Sequence, residues 1–553
     1  MTVVIGRLRG RVARPESPWR SILADGLPER LGTAKGRRIL CASSVGGHPL
    51  VRNVDSLVAM GLWLRGAEPT LLLCDYELPA CEACEYHQFS PPQRLVDEGP
   101  QRRLCPSCFG AGWAFYEPLP VEVLRYSEFL QEGSSRKALE WAMSLDLDEC
   151  FTFEESGLRL GEQARAGTLR FFGKAQLDDE PTSLVLGVAR RYAAGASVAA
   201  RVAGAALERL DPECVVAHHG VYVPQGVLGE VARKAGVRVV NWGVSYRNTT
   251  IIASHEDTYH RTMMSEPHDL WDRPLSDTEE AELLDYLETR RRGRGDWTWV
   301  TPEAALRPEV QQREVLVEEL GLDPALPIVG LLTNVLWDAQ LYYEANAFGD
   351  MLEWLWTTLD YFVDHQDLQL IVRIHPHEVK IGNRQPVARE IARRYPTLPP
   401  TIKVIPHDHP YNTYALMSLC RAVLIYGTKT GVELTPFGTP VVVSGDAWIR
   451  GKGLTTDVSS REEYLAALDG LAVMEPLPPE VVTRARRYAY HYFLRRMIPL
   501  RSLDPDAPTP ALRIETAEEV LPGADPGLDV VCDGILDGTP FVFDTDAALG
   551  AVG

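Results

Sequence analysis

Two stretches in the second half of the chain carry the residue types that bind and release phosphate groups. "IVRIHPHE" (371–378) closes an apolar run with Arg373, His375 and His377 around Pro376. Proline cannot donate to a strand ladder, so this polar run must turn at a strand tip. An imidazole and a guanidinium placed there can stabilise a departing phosphate without a metal. Further on, "YGTKTGVELTPFGTPVVVSG" (426–445) reads as a strand ending at Gly427, a polar turn, and a helix starting near Thr428. The hydroxyls of Thr428 and Thr430, the ammonium of Lys429 and the backbone N–H groups running to Gly431 make an anion site. Glu433 is placed to accept two hydrogen bonds from a ribose diol. A plain threonine-capped helix would use the same residues. "LLTNVLWDAQ" (331–340) ends another strand and offers Asn334, Trp337 and Asp338. Asp338 reads as an acid/base group, an anchor for a sugar hydroxyl, or a helix N-cap.

The first half offers a second set. "SSVGGHP" (43–49) is a strand–Gly-Gly–helix turn with His48 placed to act as a base. It lacks a full GxGxxG, so a dinucleotide reading has little behind it, and a tight turn with an exposed histidine fits equally. "AHHGVYVPQG" (217–226) puts His218 and His219 at another strand end. "SHEDTYH" (254–260) adds His255, Glu256, Asp257 and His260. From these, His218, His219 and Glu256 are the expected lining of an acceptor pocket. His255 and His260 lack the spacing of a helical zinc pair, so no catalytic metal is expected there.

A third group of residues is architectural. Cys81 and Cys84 form one CxxC pair, and Cys105 and Cys108 another. Two such turns can complete a tetrahedral four-sulfur shell. A structural zinc is expected, with an iron–sulfur cluster as the alternative that the same ligation allows. With four cysteines no coordination position stays open for catalysis. The other six cysteines are scattered through apolar runs, which fits a reducing compartment.

These residues need strands and helices to hold them. "RRILCASS" (37–44), "PTLLLCD" (69–75), "CVVAHHG" (214–220), "VRVVNWG" (237–243) and "TTIIAS" (249–254) read as strands, separated by helical stretches at 48–67 and 181–209. After a charged segment at 275–300, strands recur at 327–334, 368–376, 401–407, 421–427 and 439–445, and a last long helix covers 478–497. The pattern predicts an α/β protein with two doubly wound, Rossmann-like domains. The first spans 1–300 and contains the four-cysteine insertion at 78–115. The second spans 301–500. Residues 501–553 read as a tail, in which 528–544 could form a closing hairpin.

The 553 residues carry a net charge of -20, which argues against a nucleic-acid partner. Arginines at 7, 9, 11, 14 and 20 have no apolar run behind them, so no secretory signal is expected, and no stretch reaches the length of a membrane span. These features predict a cytoplasmic protein, with peripheral membrane contact through the basic N-terminus, or assembly-complex contact through the cysteine insertion, as the lesser options.

The basic-x-His-Pro strand end (Arg373, His375, Pro376), the turn Thr428–Lys429–Thr430–Gly431, and Glu433 followed by Gly438 and Pro440 resemble the donor site of a GT-B glycosyltransferase. More narrowly they are similar to the capsule polysaccharide biosynthesis family, which includes Kdo-type sugar transferases. Members often have serines where this chain has Thr428 and Thr430, and the cysteine pairs lie outside the family's common core. The resemblance implies a nucleotide-sugar donor held by Arg373, His375, His377 and residues 428–433. It also implies a last helix that crosses back to the first domain. The acceptor would be a glycan or small molecule, with His48, Asp338 and His375 as the catalytic candidates and no catalytic metal. A nucleotide-sugar 2-epimerase on the same fold, and a non-catalytic scaffold in a polysaccharide assembly or export complex, are the alternatives.

Overall fold

The computed structural model describes residues 17–544 apart from 25, 32–33, 293–295, 297–309, 379–381 and 508–510. The arginines at 7, 9, 11 and 14 lie outside the described residues. Arg20 lies within them and pairs with Glu117 at 2.7 Å.

Short apolar runs flanked by helices become strands buried on both faces. In the first half these are β1 (Arg38–Ser44), β2 (Glu68–Leu73), β3 (Glu122–Arg125), β4 (Cys214–His218), β5 (Arg238–Val244) and β6 (Thr250–His255). In the second half they are β7 (Ile328–Leu332), β8 (Gln369–Arg373), β9 (Ile402–Ile405), β10 (Ala422–Ile425), β11 (Val441–Val443) and β12 (Thr456–Asp457). A last two-residue strand, β13 (Ile498–Pro499), comes after the long C-terminal helix. Every residue of β4, β7, β8, β10 and β11 is buried.

The first sheet has the order β13-β6-β5-β4-β1-β2-β3 and the second β12-β11-β10-β7-β8-β9. The second sheet is parallel throughout. In the first, β1 to β5 are parallel, while β6 runs antiparallel to β5 and β13 antiparallel to β6. Each sheet thus winds outward in both directions from its first strand. The direction of winding reverses between β1 and β4 in one sheet and between β7 and β10 in the other. Open α/β sheets bind ligands in the crevice beyond the carboxyl ends at such a reversal. The expected pair of doubly wound, Rossmann-like domains is present, in the arrangement named GT-B.

Strands β3, β12 and β13 are not foreseen from the sequence. All three are short or polar, and nothing local distinguishes them from loop. The helix Pro479–Tyr490 continues as a π-turn over His491–Arg495 and delivers β13 to the first sheet. The chain therefore does cross back. The hairpin expected at 528–544 needs correction: residues 526–537 form a helix instead. Its apolar residues recur at helical spacing, and Leu528, Val531, Cys532 and Ile535 enter the same core as Val54, Leu57 and Val58 of the helix Pro49–Leu64. Asp525 caps it through the N–H groups of Gly527 and Leu528. Arg65 pairs with Asp529 beside that contact. Among the described residues no helix is long and apolar enough to cross a membrane.

Leu528 is fully buried in this contact. Leu528→Ala is expected to lower stability by about 2–5 kcal/mol in urea unfolding. A change below about 0.5 kcal/mol would show that the C-terminal helix is not part of the first domain's core.

Candidate functional site

Three strand ends build the second-domain half of the site. His375 lies just past β8 and is half-buried, and its backbone N–H donates to Thr333 Oγ1 at 3.0 Å. Thr333 directly follows β7, so the tips of β8 and β7 are tied together. His377 N–H donates to His375 Nδ1 at 3.2 Å. This leaves Nδ1 as the acceptor in that contact and Nε2 as the protonated nitrogen of a neutral ring. On the other side of β7, Gly427 lies two residues past the end of β10. A Cβ there would stand 2.7 Å from Asp446 Oδ1 and 3.3 Å from Asn334 Nδ2, so the side chains that follow three neighbouring strands converge on this glycine. Thr428 Oγ1 lies 3.0 Å from Thr430 Oγ1 and accepts the Thr430 N–H at 3.3 Å. The next helix, Thr430–Leu434, is only five residues long. The hydroxyls and charges, more than a helix dipole, therefore give this turn its chemistry.

Two donor-site expectations need correction. Arg373 does not face the cleft: its guanidinium donates to the carbonyls of Pro406, His409 and Tyr411 and to Thr413 Oγ1. It braces the loop after β9, because a buried guanidinium at that depth must find acceptors. Glu433 is not open to a ribose. Its Oε1 takes Lys429 Nζ at 2.7 Å and Arg290 Nε at 2.6 Å, and its Oε2 takes the Tyr414 hydroxyl at 2.7 Å. Arg290 also pairs with Asp296. Burial raises the Glu433 pKa, but Lys429 and Arg290 beside it override this and hold the group well below the usual carboxylate range. Burial, with the Arg290 charge, brings the Lys429 ammonium down to about 8. The ammonium sits 4.4 Å from the Tyr246 ring, which belongs to the first domain.

The first-domain half forms around the β1–β4 reversal. His48 caps the helix Pro49–Leu64 and is half-buried. His218 ends β4, and its backbone N–H donates to Ser43 Oγ at 2.9 Å. Beneath them Asp55 accepts from Ser43 and Trp242, and Gln225 donates to Glu82 at 2.9 Å. Burial brings His48 down to about 4, helped by the charges of Arg170 and Arg52, and brings His218 to about 3. Burial also raises Asp55 and Glu82 to about 7. The imidazoles are therefore neutral at neutral pH.

His219 stacks on His260 with ring centres 5.1 Å apart, and its carbonyl accepts the Thr258 hydroxyl at 2.8 Å. His260 is visible in the sequence only as one polar residue among several. Glu256 is not with them, which corrects its place in the acceptor pocket. It is exposed, and its N–H donates to Val239 O at the amino end of β5. The cause is the direction of β6: running antiparallel, it carries residues 255 and 256 to the edge away from the cleft, and the loop then returns to bring Thr258 and His260 against His219.

The two halves meet at Tyr222 and Asp338. Tyr222 OH donates to Asp338 Oδ1 at 3.2 Å and accepts the Ala339 N–H at 2.9 Å. His219, Tyr222 and Ala339 adopt left-handed backbone angles, with φ of 64°, 70° and 49°. Such strain at a non-glycine residue persists only where surrounding contacts impose it. Trp448 adds an aromatic floor, 5.6 Å from His260 and 6.3 Å from Tyr246. Asp446, raised to about 6 by burial, is a site residue that sequence reasoning does not find. Its only signal is a polar residue just past an apolar strand.

Among the described residues no three His, Cys, Asp or Glu side chains are grouped to hold a metal. The thiols of Cys81 and Cys84 contact each other. Cys105 and Cys108 occupy the first turn of the helix Cys105–Tyr116, which packs tightly on the glycine turn: a Cβ on Gly46 would meet Cys108 O at 2.7 Å, and one on Gly47 would meet Cys108 Sγ at 3.2 Å. That packing sets Cys108 against Gly47. Burial pushes its thiol up to about 12.

The family of capsule polysaccharide biosynthesis proteins matches residues 317–471. That range includes the second-domain strand tips and turns described above. None of the curated proteins matches the chain in sequence. Among solved structures, the chain is similar to the β-Kdo 2,4-transferase KpsC of Thermosulfurimonas dismutans, at 13% identity and TM-score 0.33 over 56% of this chain and 87% of that one. It is also similar to the UDP-GlcNAc 2-epimerase of Neisseria meningitidis, at 10% identity and TM-score 0.24 over 82% and 95%. A third is the glycosyltransferase SsfS6 of Streptomyces sp. SF2575, at 13% and 0.22 over 82% and 94%. The strand orders, not these overlaps, establish the fold.

The buried Glu433 cluster predicts a pH response. Its folded pKa lies below the ordinary value, so its contribution is complete above about pH 4.3 and is lost as pH falls below that. Glu433→Gln should remove that part of the acid dependence. It should also cost about 3–5 kcal/mol at neutral pH by leaving the buried Lys429 without its carboxylate and Arg290 with Asp296 alone. Urea midpoints between pH 3 and 7 measure both, and parallel wild-type and variant curves would refute the assignment.

Proposed function

We propose that the protein is a glycosyltransferase that uses a nucleotide-activated sugar, acting in the cytoplasm in the synthesis of a surface polysaccharide or related glycoconjugate. The carrying observation is that the loops after β4 and β7, each at the winding reversal of its sheet, meet at Tyr222 and Asp338. The donor's phosphates would lie at the tips of β7, β8 and β10. There His375 and the hydroxyls of Thr428 and Thr430 supply donors, with His377 orienting His375. Lys429 contributes by leaving Glu433, which Arg290 and Tyr414 still hold.

The acceptor would enter from the side of His48, His218 and His219. Asp338, at the seam, is the candidate base. It would take the acceptor hydroxyl's proton as the new C–O bond forms and the bond from sugar carbon to phosphate breaks, and the phosphate would leave on the nucleotide. Water is excluded as the cleft closes. No step is routed through a metal.

A panel of nucleoside mono- and diphosphates in thermal-shift measurements tests the donor half. At least one should raise the melting temperature, and His375→Ala should weaken its binding by about 1–3 kcal/mol in calorimetry. No response to any nucleotide would favour a non-catalytic scaffold. Conversion of a UDP-sugar without an acceptor would favour a 2-epimerase.

Structural zinc on Cys81, Cys84, Cys105 and Cys108 is a separate proposal, carried by their spacing alone. Elemental analysis of the purified protein should find one zinc per chain, lost in Cys81→Ser. Finding no metal, or iron with sulfide, would overturn it.

A further inference from the structure

One cation in the cleft has no role in the proposed transfer. Arg170 lies in the helix Gly161–Phe172 of the first domain, and 8% of it is exposed. Its guanidinium rests 5.6 Å from the Tyr222 ring of its own domain and 5.9 Å from the Trp337 ring of the other. The apolar contacts beside it also cross the seam, with Leu169 against Val335 and Trp337. The nearest carboxylate oxygen is Glu85 Oε1, 3.8 Å from Nη2. That is beyond N–H···O reach. Guanidinium carries five N–H donors, and among the described residues none of them makes a hydrogen bond.

Buried arginines elsewhere in the chain behave differently. Arg373, 5% exposed, donates to three carbonyls and a hydroxyl, and Arg290, 3% exposed, to Glu433 and Asp296. The indole N–H of Trp337, in the ring against which Arg170 lies, is also buried and without a partner. Trp337 is 1% exposed. The unengaged groups of this pair are donors.

Two further carboxyl groups nearby are otherwise occupied. Asp338 accepts from Tyr222, and Glu82 accepts from Gln225. Burial raises Glu82 to about 7, which weakens its hold on the arginine charge. The phosphate turn of the proposed donor site belongs to β10, whereas Arg170 stands on the first-domain wall beside Tyr222.

We infer that Arg170, with the Trp337 indole N–H, is a specificity-determining pair that binds a carboxylate or phosphate oxyanion on the acceptor as it enters the cleft. A planar guanidinium held between two rings suits a bidentate oxyanion, which would also accept the indole N–H. The identity of this ligand as the acceptor rests on the transferase reading. The presence of an oxyanion subsite does not.

Calorimetry on the full chain with glucose, glucuronic acid and glucose 6-phosphate tests the subsite, since the three share one ring. At least one of the acids should bind tenfold or more tightly than glucose, and which one does so tells carboxylate from phosphate. Arg170→Met should abolish that preference, and Arg170→Lys should restore part of it. Nucleotide binding, measured in the same samples, should change less than twofold. Equal binding of glucose and both acids by the wild type overturns the inference. So does an unchanged preference in an Arg170→Met protein that melts like the wild type. Should that variant not fold, Trp337→Phe keeps an aromatic ring there and removes the N–H. A threefold or greater loss for the preferred acid then supports the subsite, and no loss overturns it. Acid binding without any nucleotide binding would sink the transferase reading and leave the subsite standing.

Discussion

The hydroxyl of Tyr222 joins the two domains where their sheets open, donating to Asp338 and accepting the Ala339 N–H. Both bonds come from loops that leave strand ends at a winding reversal, one in each sheet. Three residues at this seam, His219, Tyr222 and Ala339, hold left-handed backbone angles, at about 1–3 kcal/mol each. Packing across the seam offsets that cost. Tyr222 N–H is anchored by Gln163 at 2.7 Å, the Thr258 hydroxyl secures His219, and Arg170 lies between the Tyr222 and Trp337 rings. Were the seam to open, the imidazoles of one domain and the polar strand tips of the other would belong to separate surfaces.

Burial then sets the charge state of what the seam encloses. On the first-domain side it keeps His48, His218 and His260 neutral and makes Asp55 and Glu82 easy to protonate. That wall therefore presents hydrogen-bonding groups of low charge. On the second-domain side the same burial is met by pairing: Glu433 stays ionised because Lys429, Arg290 and Tyr414 surround it. Arg290 comes from the helix Asp277–Arg291, and Tyr246 of the first domain covers both cations. A nucleotide that drew Lys429 toward its phosphates would leave Glu433 with one strong cationic partner, so the two domains share the charge balance of the donor turn.

Much of the fold was legible in the order of residues. Continuous apolar runs such as "AVLI" and "IVGLL" mark strands buried on both faces, and their alternation with helices implies parallel sheets. The strand tips carrying His375 and Thr428 were legible for the same reason, since a polar run after an apolar one must leave the sheet. The direction of β6 was not. An antiparallel and a parallel strand of six residues look alike in sequence, and that one reversal moved Glu256 to the far edge while the next loop brought His260 in. The helix Pro526–Asp537 reads equally as a hairpin because its apolar residues fit either period over so short a run.

The chain's sequence by itself determined which segments become strands and which polar residues stand at their ends, because local periodicity and proline placement are properties of neighbours. Partnership was decided only in three dimensions. Whether Arg373 faces a ligand or a loop, whether Glu433 is open or paired, and whether four cysteines close on one point all depend on groups distant along the chain. Arg170 shows it most plainly: nothing around residue 170 marks it as different from any other helical arginine. Only the meeting of Tyr222 and Trp337 across the seam leaves it nearly buried, with no acceptor nearer than the Glu85 carboxylate.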